Sequence, residues 1–396
     1  MNHEEKLNIA LVAPGFLPVP AVCGGAVETL MDSLIAYNEA NHCCNLFIFS
    51  PHCTEARQAA ASLSSTRWIG IGKEYTKRKA SQKKILPLRW HARQFQRLAA
   101  LACHDLTQLD AVILENEFAG IRFFKNTVPL VLHAHNDYFS DTRISSSLQL
   151  DRLCKSFIAV SDPIRQAILS TYPKACVTVV PNGIDTHLFH PMTNSPSLRK
   201  KIGCSEDAVV IVFTGRLSQE KGVLELVEAF NKIHPELNAK LIIIGSSQFA
   251  SNRADRYTRL VHRTAQANKN ITCLGFIPHD QLASYLQTSD IGCVPSIWDE
   301  PFGLTLVEHL ASGLPVVVSD SGILSTLAGP DCSIVATRGR DFVPTLTRAF
   351  EALAQNKTLR DAMGGAARQR AGLYSQETFA EHFFNHLAAI CQKGAS

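Results

Sequence analysis

One alternation, repeated along the whole length, constrains this chain more than any other feature. Continuous apolar runs rich in β-branched residues occur at 8–13, 45–50, 111–114, 130–133, 157–160 and 177–180. A second series follows at 209–214, 240–244, 271–274, 291–294, 316–318 and 332–335. Runs that are continuous rather than alternating suit strands covered on both faces, as in a parallel sheet. Stretches with helical spacing separate them, among them 27–40, 223–234, 253–267, 304–312 and 341–354. Strand and helix in turn build α/β units. The segment 187–207, rich in Pro, Ser, Asn and Lys, has no hydrophobic period, and the series restarts after it. Two doubly wound, Rossmann-like domains are therefore expected, over 1–187 and 188–374. An amphipathic stretch, 376–390, follows the last run, and the tail 375–396 is expected to cross back to the first domain.

Composition narrows the class. A chain of 396 residues suits two cores better than one. With 46% hydrophobic and 19% charged residues it can bury enough apolar surface to offset its ordering entropy, which excludes disorder. No apolar run reaches the roughly 18 residues that span a bilayer. The first residues lack a basic leader region and enter a strand at once, so no signal peptide is expected. A net charge of +4 does not call for nucleic acid. The 12 cysteines are scattered with no C-x-x-C, so zinc and thioredoxin chemistry lack their spacing. Together these features point to a reduced, cytoplasmic protein. One segment stands apart: 73–97 carries nine cations against one acid, Glu74, with Trp90 and Phe95 interleaved. It reads either as a solvated basic face or as an interfacial helix on an anionic membrane surface, where each charge adds about 1 kcal/mol.

Candidate chemistry concentrates in the loops that follow the apolar runs. In Glu300-Pro-Phe-Gly-Leu-Thr-Leu-Val-Glu308 two carboxylates flank seven residues. A helix should begin near Leu304, after the turn at Phe302-Gly303, with Glu300 in the loop before it and Glu308 about one turn in. Free amides at such a helix start attract phosphate, and a carboxylate on each side can grip hydroxyls. In Gly215-Arg216-Leu-Ser-Gln-Glu-Lys221-Gly222 a planar fork and a point charge surround a tight turn. They can converge on one anion, or form a solvated turn with two cations. Open α/β sheets bind ligands at the carboxyl ends of strands, which favours the first. Cys23-Gly24-Gly25-Ala-Val-Glu28 is not a G-x-G-x-x-G fingerprint, yet paired glycines let backbone approach a ligand closely. His133 and His135, two apart at a strand end, point the same way. A metal would need a third ligand, and the spacing offers none; a lone His is more often a satisfied core residue, but the loop position beside Asn136 and Asp137 favours an active-site role for His135. Pro181-Asn-Gly-Ile-Asp185 holds an Asn-Gly turn.

At these residues the sequence resembles the retaining GT-B glycosyltransferases, specifically glycosyltransferase family 4 (glycosyl transferases group 1). The pieces occur in the family's order: Gly24-Gly25, His135-Asn136, Pro-Asn-Gly-Ile-Asp at 181–185, Gly-Arg-Leu and Glu-Lys-Gly within 215–222, Gly-Phe-Ile-Pro at 275–278, and the E-x7-E motif at 300–308. The resemblance implies two Rossmann-like domains facing a cleft, with an acceptor on the first and a nucleotide-diphosphate sugar, by default a UDP-sugar, on the second. It implies that Arg216 and Lys221 neutralise the diphosphate and that Glu308 binds the donor ribose. Glu300 would hold hydroxyls of the transferred sugar. Main-chain groups of Phe302, Gly303, Leu304 and Thr305 would touch sugar and phosphates. Phe276 and Ile277 would lie near the base, Gly24 and Gly25 in a loop that closes over the phosphates, and His135 by the sugar.

No metal and no cofactor are implied, and no Asp-x-Asp motif occurs in the chain to hold a divalent ion. The implied activity is metal-independent hexosyl transfer with retention, to a glycan acceptor, lipid-linked or soluble, in cell-envelope or polysaccharide synthesis. The alternatives are a non-catalytic partner subunit of the same fold and a nucleotide-sugar epimerase.

Overall fold

The computed structural model describes residues 6–75, 85–106, 108–118, 120–124, 128–140, 149–192, 196–247 and 255–392, with only the backbone path at 85–90. The chain forms two compact units, one of Met1–Gly183 with Gln376–Ser396, the other of Ile184–Ser375.

The first unit is built on β1 (Asn8–Val12), β2 (Asn45–Pro51), β3 (Thr66–Ile71), β4 (Ala111–Glu115), β5 (Leu130–Ala134), β6 (Ser156–Ala159) and β7 (Val177–Val179). Its sheet runs in the order β3-β2-β1-β4-β5-β6-β7, with every pair parallel. The second unit holds β8 (Val209–Thr214), β9 (Ala239–Ile244), β10 (Ile271–Gly275), β11 (Ile291–Val294), β12 (Val316–Ser319) and β13 (Ser333–Ala336), in the order β10-β9-β8-β11-β12-β13, again parallel. The expected doubly wound α/β architecture is therefore present in both units. Its cause is visible in the burial: Ile9, Leu11, Val112, Ile211, Leu241 and Val317 are wholly buried, as continuous apolar strands between two helical layers must be. Burying each such side chain contributes about 1.5–3 kcal/mol.

The strand order reverses direction between β1 and β4, and between β8 and β11. Loops leaving strand ends at such a switch point border a crevice. Gly24-Gly25 follows β1, Arg216–Lys221 follows β8, and Glu300 follows β11. Topology alone thus brings the sequence motifs of each unit to one edge of its sheet.

Two differences from the sequence reading have clear causes. β3 was not expected, because Arg67 and Gly70 interrupt its apolar run. Phe95, read as part of an interfacial face, is buried on the helix Ile85–His104, where its ring fills the space beside Gly15. The cations at 77–84 of that basic segment lie outside the described residues. The helix Gln376–Gln392 belongs to the first unit. It buries Phe379, Phe383 and Leu387, stacks Phe384 on Tyr37 at 6.0 Å, and accepts a bond from Lys155 Nζ at the Ile390 carbonyl (2.9 Å). Among the described residues no helix is long and apolar enough to cross a membrane. All twelve cysteines carry free thiols.

Candidate active site

In the second unit the site is stitched together by glycines. Gly222 ends the short turn Gln219–Lys221 and starts the helix Val223–Phe230 with a left-handed φ of 65°. A Cβ there would sit 2.0 Å from the Pro295 carbonyl, so only glycine lets this loop press against the one that follows β11. The Ile297 amide then donates to the Glu220 carbonyl at 2.9 Å and fixes the pair of loops. Lys221 Nζ donates to Glu300 Oε1 at 2.6 Å, and Ser296 Oγ donates to the same oxygen at 2.5 Å. The Lys221 ammonium also lies over the Trp298 ring, 5.4 Å from its centre. Arg216 is more exposed and donates to Glu220 at 3.0 Å. The two cations do not converge on one anion here; each faces its own carboxylate.

Glu300 is buried. Gly322 lies against its backbone, where a Cβ would come within 2.3 Å of its carbonyl oxygen. Arg338 braces the same loop, donating to Asp299 (2.9 Å), Asp320 (3.0 Å) and the Ile297 carbonyl (3.1 Å). Gly303, at φ 109°, turns the chain into the helix Leu304–Ala311, whose leading amides have no acceptor within the helix. Phe302 is buried with its ring edge-on to Tyr374 (ring centres 5.9 Å). Glu308 is buried on this helix rather than on its surface. Its Oε1 accepts from His279 Nε2 at 2.8 Å, while Oε2 has no partner among the described residues. His279 directly follows Phe276-Ile277-Pro278, and of these Phe276 is exposed.

In the first unit Gly24 and Gly25, at φ 72° and 114°, lead into the helix Ala26–Asn41. Space beside Gly24 is open, whereas a Cβ on Gly25 would strike the Glu28 carboxylate. Burial pushes the Glu28 carboxyl up to about 7. Burial likewise lifts Asp32 to about 6, against a bond it accepts from the Ala21 amide.

His135 follows β5 and is buried. The spacing of the two histidines offered no third partner; the fold supplies one. Glu115 ends β4 in register with His133. It accepts from His133 Nδ1 at 3.0 Å and from His135 Nε2 at 2.8 Å, with the two rings 4.0 Å apart. Burial would raise Glu115, but the two imidazoles hold it down to about 2. Burial and His133 hold His135 down to about 4, against Glu115. An ionised Glu115 has no proton to give, so the nitrogens facing it carry the protons. That leaves Nδ1 of a neutral His135 as an acceptor. The ligand atoms of Glu115, His133 and His135 lie within 4.8 Å of one another, and here they are paired with one another as a carboxylate–imidazole hydrogen-bond network.

The two halves of the chain match two family models: residues 24–188 match Glycosyltransferase Family 4, and residues 194–370 match Glycosyl transferases group 1. A lipopolysaccharide 1,2-N-acetylglucosaminetransferase of Salmonella typhimurium is 26% identical over 268 residues, 65% of this chain and 66% of that protein. Among solved structures, a sucrose-phosphate synthase from Thermosynechococcus elongatus aligns with TM-score 0.77 at 20% identity, over 99% of this chain and 100% of that one. Anabaena HepE, solved in complex with UDP and glucose, aligns with TM-score 0.70 at 18% identity, over 96% and 99% of the two chains. At these identities the structures speak to the fold alone. With both halves matched and two Rossmann-like domains in place, the chain belongs to the family 4 glycosyltransferases, of GT-B architecture.

Proposed function

We propose that the chain is a retaining, metal-independent hexosyltransferase. It takes its sugar from a nucleotide-diphosphate sugar, by default a UDP-sugar, and delivers it to a hydroxyl of a glycan in cell-envelope or polysaccharide synthesis. The donor occupies the second domain (188–374); the acceptor occupies the first (1–187, with the tail 375–396). The observation that carries the reading is the cluster of Lys221, Glu300 and the helix start at Leu304, one turn before the open oxygen of Glu308. HepE, a fold relative, is solved with UDP and glucose, which supports UDP as the default.

Glycosyl transfer leaves positive charge on the sugar and builds negative charge on the departing diphosphate. Arg216, Lys221 and the helix amides are fixed positive groups where that negative charge grows. Glu300 and His135 orient the sugar. Gly24 and Gly25 let the loop over the phosphates approach closely, and Phe276 and Ile277 border the base. Retention rests on the family resemblance; with no obvious covalent nucleophile among the described residues, the acceptor attacks on the face that the diphosphate leaves. There the C1–O bond to phosphate breaks, the C1–O bond to the acceptor forms, and the acceptor's proton passes to the departing phosphate oxygen.

The protein is cytoplasmic and peripheral on the inner membrane face. Arg93, Arg97, Leu98 and Leu101 are exposed on the helix Ile85–His104 and suit anionic lipid. Vesicle flotation should then require anionic lipid and weaken in salt; salt-insensitive flotation contradicts this part.

A thermal-shift screen with UDP, GDP, ADP, TDP and their sugars, with and without EDTA, tests the reading. A ligand at about 100 times its Kd adds about 2.7 kcal/mol of stability. One nucleotide and one of its sugars should shift melting, unaffected by EDTA. No shift with any of them, or a shift abolished by EDTA and restored by Mg²⁺, counts against it.

A further inference from the structure

The two oxygens of the buried Glu308 are not alike. Oε1 accepts from His279 Nε2 at 2.8 Å; Oε2 is buried and has no partner among the described residues. A carboxylate oxygen removed from water without a donor is costly, and a ligand hydroxyl satisfies it. His279 opens the helix His279–Gln287 and is half-exposed, its ring edge-on to Phe189 at 5.1 Å. Acids face it from three elements: Glu308 on the helix Leu304–Ala311, Asp185 in the Pro-Asn-Gly-Ile-Asp segment, and Asp280 on its own helix. The hydrogen bond to Glu308 raises its pKa above the ordinary 6.5, against burial, and the charges of these acids add to the rise. Asp185 is held in place by the amides of His187 (2.8 Å) and Leu188 (2.9 Å), which donate to its Oδ1.

We propose that His279 is a positioning residue of the donor site: its imidazolium clamps Glu308 Oε1, presents Oε2 to a ribose hydroxyl of a nucleoside diphosphate, and makes donor affinity fall as pH rises through its titration. This rests on the reading of Glu308 as the ribose acceptor. Charge-assisted hydrogen bonds are about twice as strong as neutral ones, so loss of the proton loosens the clamp. The single proton of the neutral ring can also sit on Nδ1, leaving Nε2 with nothing to donate.

The test is calorimetric titration of the full chain with UDP, from about pH 5.5 to about pH 8.5, the range over which histidine changes charge. Comparing wild type with His279→Gln cancels the titration of the ligand's own phosphate. Wild type should bind about threefold to tenfold more tightly than His279→Gln at the acid end, and the two should converge at the alkaline end. With 2′,3′-dideoxy-UDP, which offers Oε2 no hydroxyl, the substitution should make no difference. An affinity gap that is flat in pH, or a loss equally large with the dideoxy nucleotide, overturns the proposal, since His279 would then act on the phosphates or on folding. If His279→Gln melts early, His279→Asn repeats the measurement. If wild type binds none of UDP, GDP, ADP or TDP, the donor reading itself fails and takes this proposal with it.

Discussion

Glu115 and Glu308 are both buried carboxylates, one in each unit, and each meets a histidine. They differ in what is left over. Glu115 has both oxygens engaged by two imidazoles and is sealed inside its unit. Glu308 has one oxygen engaged by one half-exposed imidazole and the other oxygen empty-handed. Glu115 has no oxygen left to offer, so it holds the fold and sets the tautomer that leaves His135 Nδ1 as an acceptor; Glu308 keeps an oxygen for a ligand. The second unit repeats this openness. Arg216 and Lys221 are held by the carboxylates of Glu220 and Glu300, partners a diphosphate can displace.

The comparison breaks most visibly if the closed network is cut. Glu115→Ala strands two buried imidazoles and should cost about 3–5 kcal/mol of stability in a urea melt of the full chain. Glu308→Ala gives up one bond, from the half-exposed His279, and should cost about 1–2 kcal/mol, less than Glu115→Ala. Equal losses would erase the distinction.

Glu28 gives the next effect. Its carboxyl is raised from 4.5 to about 7, so the folded state favours the protonated form. Stability from this group is full below about pH 4.5 and is lost as pH rises through about 7. Glu28→Gln should therefore stabilise the protein by about 3 kcal/mol at pH 8 and by almost nothing at pH 4. A gain independent of pH would show that the buried charge is not its source. The smallest effect concerns the exposed Arg216–Glu220 pair. Such pairs contribute about 0.2–1 kcal/mol, so Glu220→Gln should raise affinity for a nucleoside diphosphate about threefold in the same calorimeter. Weaker binding would mean that Glu220 positions Arg216 rather than competing for it.

The second unit was more legible in the sequence than the first, for a physical reason. Its candidate residues sit within contiguous loops, Arg216 to Lys221 and Glu300 to Glu308, so local spacing exposes them. Even there His279 went unread, because its partner Glu308 is far along the chain; its place directly after Gly-Phe-Ile-Pro was the available signal. In the first unit Glu115 meets His133 and His135 only through the pairing of β4 with β5. A lone acid ending an apolar strand beside the switch point was the available sign. The apolar runs announced every strand except β3. The helix Lys357–Ala371 was also not among those read, since Gly364-Gly365 interrupts its pattern. Gly364 is there for packing: a Cβ would stand 2.5 Å from the Gly313 carbonyl.

The central claim is that the loops after β8 and β11 stabilise a departing diphosphate. Turnover of Arg216→Ala and Lys221→Ala, measured with the donor that the thermal screen identifies, tests it most directly. The account predicts a fall of about 10²–10³-fold in kcat, the loss seen when a transition-state donor is removed, with melting temperatures close to wild type. Wild-type turnover in both variants would contradict it.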